Sequence, residues 1–177
     1  MACNLTSGIL LGCRDNVGGL KNMWITDFSN IAAVTQSTGD TITQISGSGT
    51  FYEFQLIRTS SQHSETVNAS LENGTVFYQG ETVVYFAKLE QSKRNILKTL
   101  AQSQRLAIVV EDNNGAYFYL GQTYGCFISA GTSVTGKALG DQNGYNLTFQ
   151  YLEPNPMNEL SGTLSSIAAG ITVESNP

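Results

Sequence analysis

This chain is short of the side chains that do chemistry. One histidine, His63, and three cysteines, Cys3, Cys13 and Cys126, stand among 177 residues. A Ser-His or Cys-His nucleophilic pair would have to use His63, which lies in a Ser- and Gln-rich stretch with no oxyanion-type glycine motif beside it. Zinc wants three or more converging His, Cys or carboxylate ligands, and no paired ligand spacing is present. Gly136-Lys137 lacks the upstream glycine of a phosphate-binding loop. Two carboxylates suffice for glycoside cleavage, but the neighbours Glu111 and Asp112 would face opposite sides of a strand. The expectation is a protein without catalysis, metal or cofactor.

Charge is scarce as well. Charged residues make up 13% of the chain, about half of the roughly 25% usual for soluble proteins. Ser, Thr, Asn, Gln and Gly replace them. Burying Asn or Thr costs less than burying Lys or Glu, so such surfaces suit packing of protein on protein; secreted β-proteins share the composition. The net charge is −5, and the one basic cluster is Lys93, Arg94 and Lys98 on a predicted helix. Sequence-specific nucleic-acid binding needs a larger positive patch than that. The cysteines are odd in number and irregular in spacing, which points to free thiols made in a reducing cytoplasm. Leu10-Leu11-Gly12-Cys13 looks like a lipoprotein cleavage box. Yet no Lys or Arg precedes it, and the apolar run from Ile9 to Leu11 is too short for a signal core. Nothing approaches the ~20 apolar residues of a membrane-spanning helix, so no membrane partner is expected. The Asn-x-Ser/Thr sequons at Asn4, Asn68, Asn73 and Asn146 are what chance gives in so polar a chain.

What the sequence does have is strand pattern and turns. Residues 21–28 read as a strand. Residues 29–49 read as a long polar loop with a short strand at 41–45. In 50–59, Tyr52, Phe54, Leu56 and Arg58 alternate with Phe51, Glu53, Gln55 and Ile57, and the first set is expected to face the core. Residues 65–72 and 75–89 read as two long strands joined through Asn73-Gly74 in a tight hairpin, with a bulge or bend at Gly80. Residues 90–103 carry Ile96, Leu97 and Leu100 on one stripe with Leu89, the spacing of a helix. Strands are predicted at 105–111 (Leu106, Ile108 and Val110 inward), 116–120 and 145–152, with turns at 112–115 and 141–144. Residues 127–138 read as an extended loop, and 157–177 as a tail that orders only against a partner. The sum is a mainly β chain: an antiparallel β-sandwich or β-barrel with one flanking α-helix. It divides into an N-terminal arm (1–20), the β domain (21–156, with the helix at 90–103) and a C-terminal tail (157–177).

One ordered set of segments carries a resemblance: Cys13-Arg14-Asp15-Asn16-Val17-Gly18-Gly19, Glu72-Asn73-Gly74-Thr75-Val76-Phe77-Tyr78, Lys88-Leu89-Glu90, Val109-Val110-Glu111-Asp112-Asn113-Asn114-Gly115, Thr135-Gly136-Lys137-Ala138-Leu139-Gly140-Asp141 and Gly144-Tyr145-Asn146-Leu147-Thr148-Phe149. In this order the chain resembles the neck, ring or tail-tube structural proteins of tailed bacteriophages infecting Bacteroidota, including the crAss-like phages. The likeness covers most of the chain, and its motifs are turns and strand starts. It implies a tail-tube-like β fold. It also implies a homo-oligomeric ring of about six or twelve copies, assembled in the host bacterial cytoplasm and built into the virion. Its partners would be other neck, portal and tail proteins, with genomic DNA passing through without sequence-specific binding. Strands of neighbouring copies would join edge to edge, which removes open sheet edges. The hairpin at 65–89 is the expected wall. Val67, Ala69, Leu71, Phe77, Val83 and Tyr85 are candidate interface residues, and Glu65, Glu72 and Glu81 are candidate channel-lining residues. The loop 29–49, the arm and the tail would bridge neighbours.

Two other readings compete. A secreted or surface β-sandwich module binding carbohydrate or protein would cluster exposed aromatics, with Tyr117, Tyr119 and Tyr124 as candidates, and would be cleaved before Cys13. A hydrolase would depend on His63 or Glu111.

Overall fold

The computed structural model describes residues 8–174; Cys3 and the Asn4 sequon lie outside the described residues. The chain forms β1 (Leu20–Asp27), a short 3-10 turn (Phe28–Asn30), β2 (Ile31–Gln36), β3 (Ile42–Gly47), β4 (Thr50–Gln55), β5 (Gln62–Ser70) and β6 (Thr75–Ala87). Helix α1 (Gln91–Gln102) follows, then β7 (Leu106–Asp112), β8 (Tyr117–Leu120), β9 (Phe127–Val134) and β10 (Gly144–Glu153). Four short pieces end it: β11 (Asn158–Glu159), α2 (Leu164–Ile167), β12 (Ala168–Ala169) and β13 (Thr172–Val173).

The organising strand is β7. Its sequence, Leu-Ala-Ile-Val-Val-Glu-Asp, is a continuous apolar run, the pattern of a strand covered on both faces. It lies within a six-stranded sheet, β11-β8-β7-β1-β4-β13, and is buried from Leu106 to Glu111. Leu106, Ile108 and Val110 face one core with Met23, Ile25, Leu56 and Leu120. Ala107 and Val109 face a second core with Trp24, Phe51 and Tyr119. The first core is closed by a four-stranded sheet, β5-β6-β10-β9, through Val84, Leu147, Phe149 and Tyr151, and by Leu97 and Leu100 of α1. The second is closed by a three-stranded sheet, β12-β3-β2, and by α2. The protein is therefore a mainly β, sandwich-like fold with three layers. Among the described residues no sheet closes into a barrel.

Several expectations change. Residues 29–49 are not a loop: β2 and β3 pair as a hairpin. Irregularities between Ile31 and Ala33 and between Thr35 and Gln36 break the two-residue period. The second of them puts Ile42 and Ile45 into the second core three positions apart; the short strand expected at 41–45 is present as β3, and β2 is the strand beyond those expected. In β4 the two parities serve different cores. Phe54 and Leu56 face the first as expected, but Phe51, assigned outward, is fully buried in the second. Residues 127–134 are not loop either, since they form β9, which pairs with β10; only 135–138 of the expected loop remain one. The Ser, Gly and Thr content of β9 is that of an exposed strand with little side chain to bury. Of the expected tail, residues 157–174 are ordered without a partner. Leu160, Leu164, Ile167 and Ile171 are buried in the second core, carried by short pieces too brief to show a period.

Gly74 is expected as a turn residue and Gly80 as a bulge or bend. Gly74 is one, with φ +63, but Ser70 pairs with Thr75, so the turn holds four residues rather than two. Gly80 makes no bulge, because β6 keeps register through it on both sides. A Cβ there would overlap the Tyr151 ring. The glycine is a floor for that ring.

Two changes test this packing. Leu164→Ala is expected to cost about 2–5 kcal/mol, the usual range for emptying a buried leucine site. Gly80→Ala should cost about 1–3 kcal/mol through overpacking. Urea unfolding midpoints would measure both. A Leu164→Ala chain as stable as the parent would contradict a structural role for the tail.

Candidate assembly interface

The four-stranded sheet is the surface least finished by the fold. β5, nine residues long, forms one edge and β9, eight residues long, the other. Each presents a row of backbone N–H and C=O groups outward. The central sheet ends differently: its edge strands, β11 and β13, are two residues each. The hairpin of β5 and β6 also outruns its support. Pairing of β6 with β10 stops at Tyr78 opposite Glu153, so 67–77 projects as a two-stranded ribbon. Val67 (58%), Leu71 (102%), Val76 (55%) and Phe77 (41%) are exposed on it. A lone two-stranded ribbon is marginal in water, and one bearing exposed aliphatics gains by packing on something.

Register sorts the candidate residues. Cross-strand partners share a face, and Val84, opposite Leu147, faces the first core. Phe77, Val83 and Tyr85, at odd positions on β6, lie on the outer face; Val67 pairs with Tyr78 and Ala69 with Val76, on the core-side face. Leu71 is in the turn. The six candidate interface residues therefore do not make one patch. They split across two faces of one ribbon, because the turn carries the chain from one strand to the next without preserving parity.

The three carboxylates separate as well. Glu65 turns inward: its Oε1 accepts the Tyr151 hydroxyl at 2.8 Å and the Met157 N–H at 3.0 Å. Glu81 lies on the outer face, where Gln150 Nε2 donates to it at 3.2 Å. Glu72 is exposed at the ribbon tip. Of the three, Glu81 alone sits on the outer face of the sheet proper. The rest of that face is neutral: Gln62, Ser64 and Thr66 on β5, Gln79 on β6, Thr148 and Gln150 on β10, Thr132 on β9.

His63 belongs to a network that fixes the root of the hairpin. Its Nδ1 lies 2.8 Å from Thr82 Oγ1 and its Nε2 lies 3.3 Å from the Tyr151 hydroxyl, with the two rings stacked at 5.8 Å. The Tyr151 proton goes to Glu65, so the hydroxyl accepts from His63 and the ring is the neutral Nε2–H form. Burial lowers the His63 pKa to about 4 and pushes Tyr151 up, with the bond to Glu65 adding to the Tyr151 shift. Glu111 lies on a different sheet, where it accepts from Lys21 Nζ at 2.7 Å and Asn22 Nδ2 at 3.0 Å. The two hydrolase candidates are thus not brought together. Nor do the aromatics of the binding-module reading form a platform. Tyr119 is buried, Tyr117 packs on Trp24 at 5.7 Å, and only Tyr124 is exposed. The cavity beside Tyr119 and Glu153 is about 60 Å³, water-sized rather than substrate-sized. Glu153, buried there, accepts the N–H groups of Thr123 and Tyr124 at 2.9 and 2.7 Å and so shapes the 121–125 turn. Cys126 is buried, and burial holds its thiol protonated. Among the described residues no group of three His, Cys, Asp or Glu is placed to hold a metal.

Because its folded pKa near 4 lies below the ordinary 6.5, neutral His63 contributes stability that is complete above pH 6.5. That contribution is lost as pH falls from 6.5 to 4, by about 3 kcal/mol at the limit. His63→Gln should flatten this part of the acid limb, measured as urea midpoints across pH 4–7. An unchanged slope would refute the burial of a neutral imidazole. Neither family models, nor curated proteins, nor solved structures yield a match to this chain, so the sheet edges and the network beside them carry the functional reading.

Proposed function

We propose that this chain is a virion structural protein of a tailed bacteriophage. It builds a homo-oligomeric ring of the neck or tail around the passage for the genome, without catalysis. The observation that carries this reading is the pair of long open edges on one antiparallel sheet. β5, β6, β10 and β9 alternate in direction. When β5 of one copy meets β9 of the next, the new pair is again antiparallel, and a head-to-tail ring closes with no break in the alternation. Closure satisfies both rows of backbone groups at once. An open heterologous chain would leave two edges, so the closed form is favoured.

The face left over suits a conduit. Amides and hydroxyls dominate the outer side of the sheet, with Glu81 held by Gln150. Such a wall gives phosphate neither an attractive patch nor a counterion-release gain, and DNA slides past it. The alternative orientation, with this face on the outside of a ring, would offer the same surface to a sheath or neighbouring ring. The exposed free thiol Cys13 and the buried Cys126 are in keeping with assembly in a reducing bacterial cytoplasm.

The test is assembly itself. Concentrated protein should form rings of uniform copy number by light scattering and electron microscopy. Gln62→Lys and Ala130→Lys place cations on opposite edges, on the same face and on the same rung of the sheet, through Val83 and Thr148. Each alone should weaken assembly modestly, and the pair together should abolish it, since like charges across a strand pair repel. Both positions are exposed, so the thermal midpoint of the monomer should move little. Rings that persist in the double variant would rule out edge-to-edge closure.

A further inference from the structure

The cavity of about 60 Å³ beside the 121–125 turn lies where the three layers meet. Gln36 of β2, Tyr119 of β8 and Glu153 of β10 line it, with Gln122, Asn155 and Asn158. At ~10–15 Å³ for each water-sized sphere, the space takes about four or five of them. Its wall is mostly polar, and two of the polar groups have no answer within the chain.

The first is Glu153, which is 5% exposed. Its Oε1 takes both N–H groups of the turn, but among the described residues no donor reaches its Oε2. None of the ion pairs among the described residues includes it. Arg105 grips the same turn from the carbonyl side, with Nε donating to Tyr124 O at 2.8 Å and Nη2 to Thr123 O at 3.1 Å, and it does not line the cavity. The second is Tyr119, which is 1% exposed and whose hydroxyl has no hydrogen-bond partner among the described residues. Burial holds that hydroxyl protonated, with the neighbouring Cys126 and Glu153 acting in the same sense. The amides add neutral oxygens. Gln36 Nε2 and Asn158 Nδ2 both donate to Gln122 Oε1, at 3.1 and 2.7 Å, while among the described residues Gln36 Oε1 and Asn158 Oδ1 accept nothing.

This is a set of oxygens with one negative charge. A buried carboxylate without a counter-charge is among the costliest groups a fold can carry, and a water molecule gives it a hydrogen bond but leaves the charge in place. A cation the size of water gives both. The charge of the ion follows from the donors. Calcium and magnesium draw on several carboxylates or on substrate phosphates, and among the described residues no group of three acidic, His or Cys side chains stands here. One carboxylate with hydroxyl and amide oxygens balances a single positive charge.

We propose that this cavity binds a monovalent cation of about the size of water, such as potassium or ammonium, held by Glu153 and Tyr119 with the amide oxygens around it. Bound there, the ion ties β2, β8 and β10 to the 155–158 segment that leads into the second core. The site lies within one copy and does not depend on ring formation. The test uses the full chain at pH 7, dilute enough to be monomeric, in mixtures of choline chloride with potassium or ammonium chloride at fixed ionic strength. Choline is too large for the cavity. The urea midpoint should rise with the logarithm of the potassium or ammonium concentration, as for any ligand of the folded state alone. Glu153→Gln keeps an oxygen for the Thr123 and Tyr124 N–H groups, so the turn holds, and it should remove the dependence on the cation. Tyr119→Phe should move the onset of the rise to about threefold higher concentration or more. A parental midpoint that is the same in all the mixtures, meaning that water alone fills the space, overturns the proposal. So does a dependence that Glu153→Gln retains in full. If Glu153→Gln does not fold, an onset left unmoved by Tyr119→Phe overturns it instead.

Discussion

Every backbone N–H and C=O in a strand has to find a partner, and this chain meets that demand unevenly. The central sheet is finished. Its middle strand is covered on both faces, and its edges shrink to two-residue strands that offer little to another chain. The β2 edge of the small sheet is six residues long and twice irregular, and bulges turn an edge away from pairing. The sheet β5-β6-β10-β9 has fewer of these devices. Its edges are nine and eight residues long, with irregularity only where β9 meets β10 between Thr148 and Phe149. No lysine or arginine stands on either strand to block a partner. A fold that protects two sheets more fully than the third suits the pairing proposed through that third sheet.

The proposed edge pairing also bears on the charge balance. A sheet whose edges pair across copies must bury whatever those edges carry, and desolvating Lys or Glu costs far more than desolvating Thr or Ser. The two edge strands carry a single carboxylate, Glu65, which turns inward, and no Lys or Arg; the rest are Gln, Ser, Thr, Asn, His63, Gly and apolar residues. The polar groups that are buried serve the shape of the sheet. His63, Tyr151, Thr82 and Glu65 lock the hairpin root to β10 and to the segment after Pro156. Gly80 gives the Tyr151 ring the space to lie there. Stiffening that root matters because the ribbon beyond it has only its own two strands for support.

How much of this was legible depended on period. The hairpin, α1, β7, β8 and β10 announce themselves through alternation or a helical stripe, and each stands within a few residues of its expected bounds. The elements that did not show themselves break the period. β2 is broken by an irregularity between Ile31 and Ala33, β9 has few side chains to bury, and the pieces after residue 157 are too short to repeat. Phe51 was misassigned because a sheet buried on both faces has no outward parity. The site was less legible than the fold. Which face Val67 or Phe77 occupies depends on turn length, and Asn73-Gly74 advertises a two-residue turn where four residues are used. Glu65 could not have been placed without knowing that Tyr151 lies across Gly80.

In the proposed ring the edge pairs would supply many hydrogen bonds but little specificity, because any strand edge of the right length pairs with any other. What this sheet adds is direction. Four alternating strands in each copy leave β5 and β9 antiparallel at every joint, so a ring of any copy number would keep the alternation. The number of copies would then follow from the curvature of the sheet rather than from the hydrogen bonds themselves, and the irregularity where β9 meets β10 between Thr148 and Phe149 is a place where the edge strand bends.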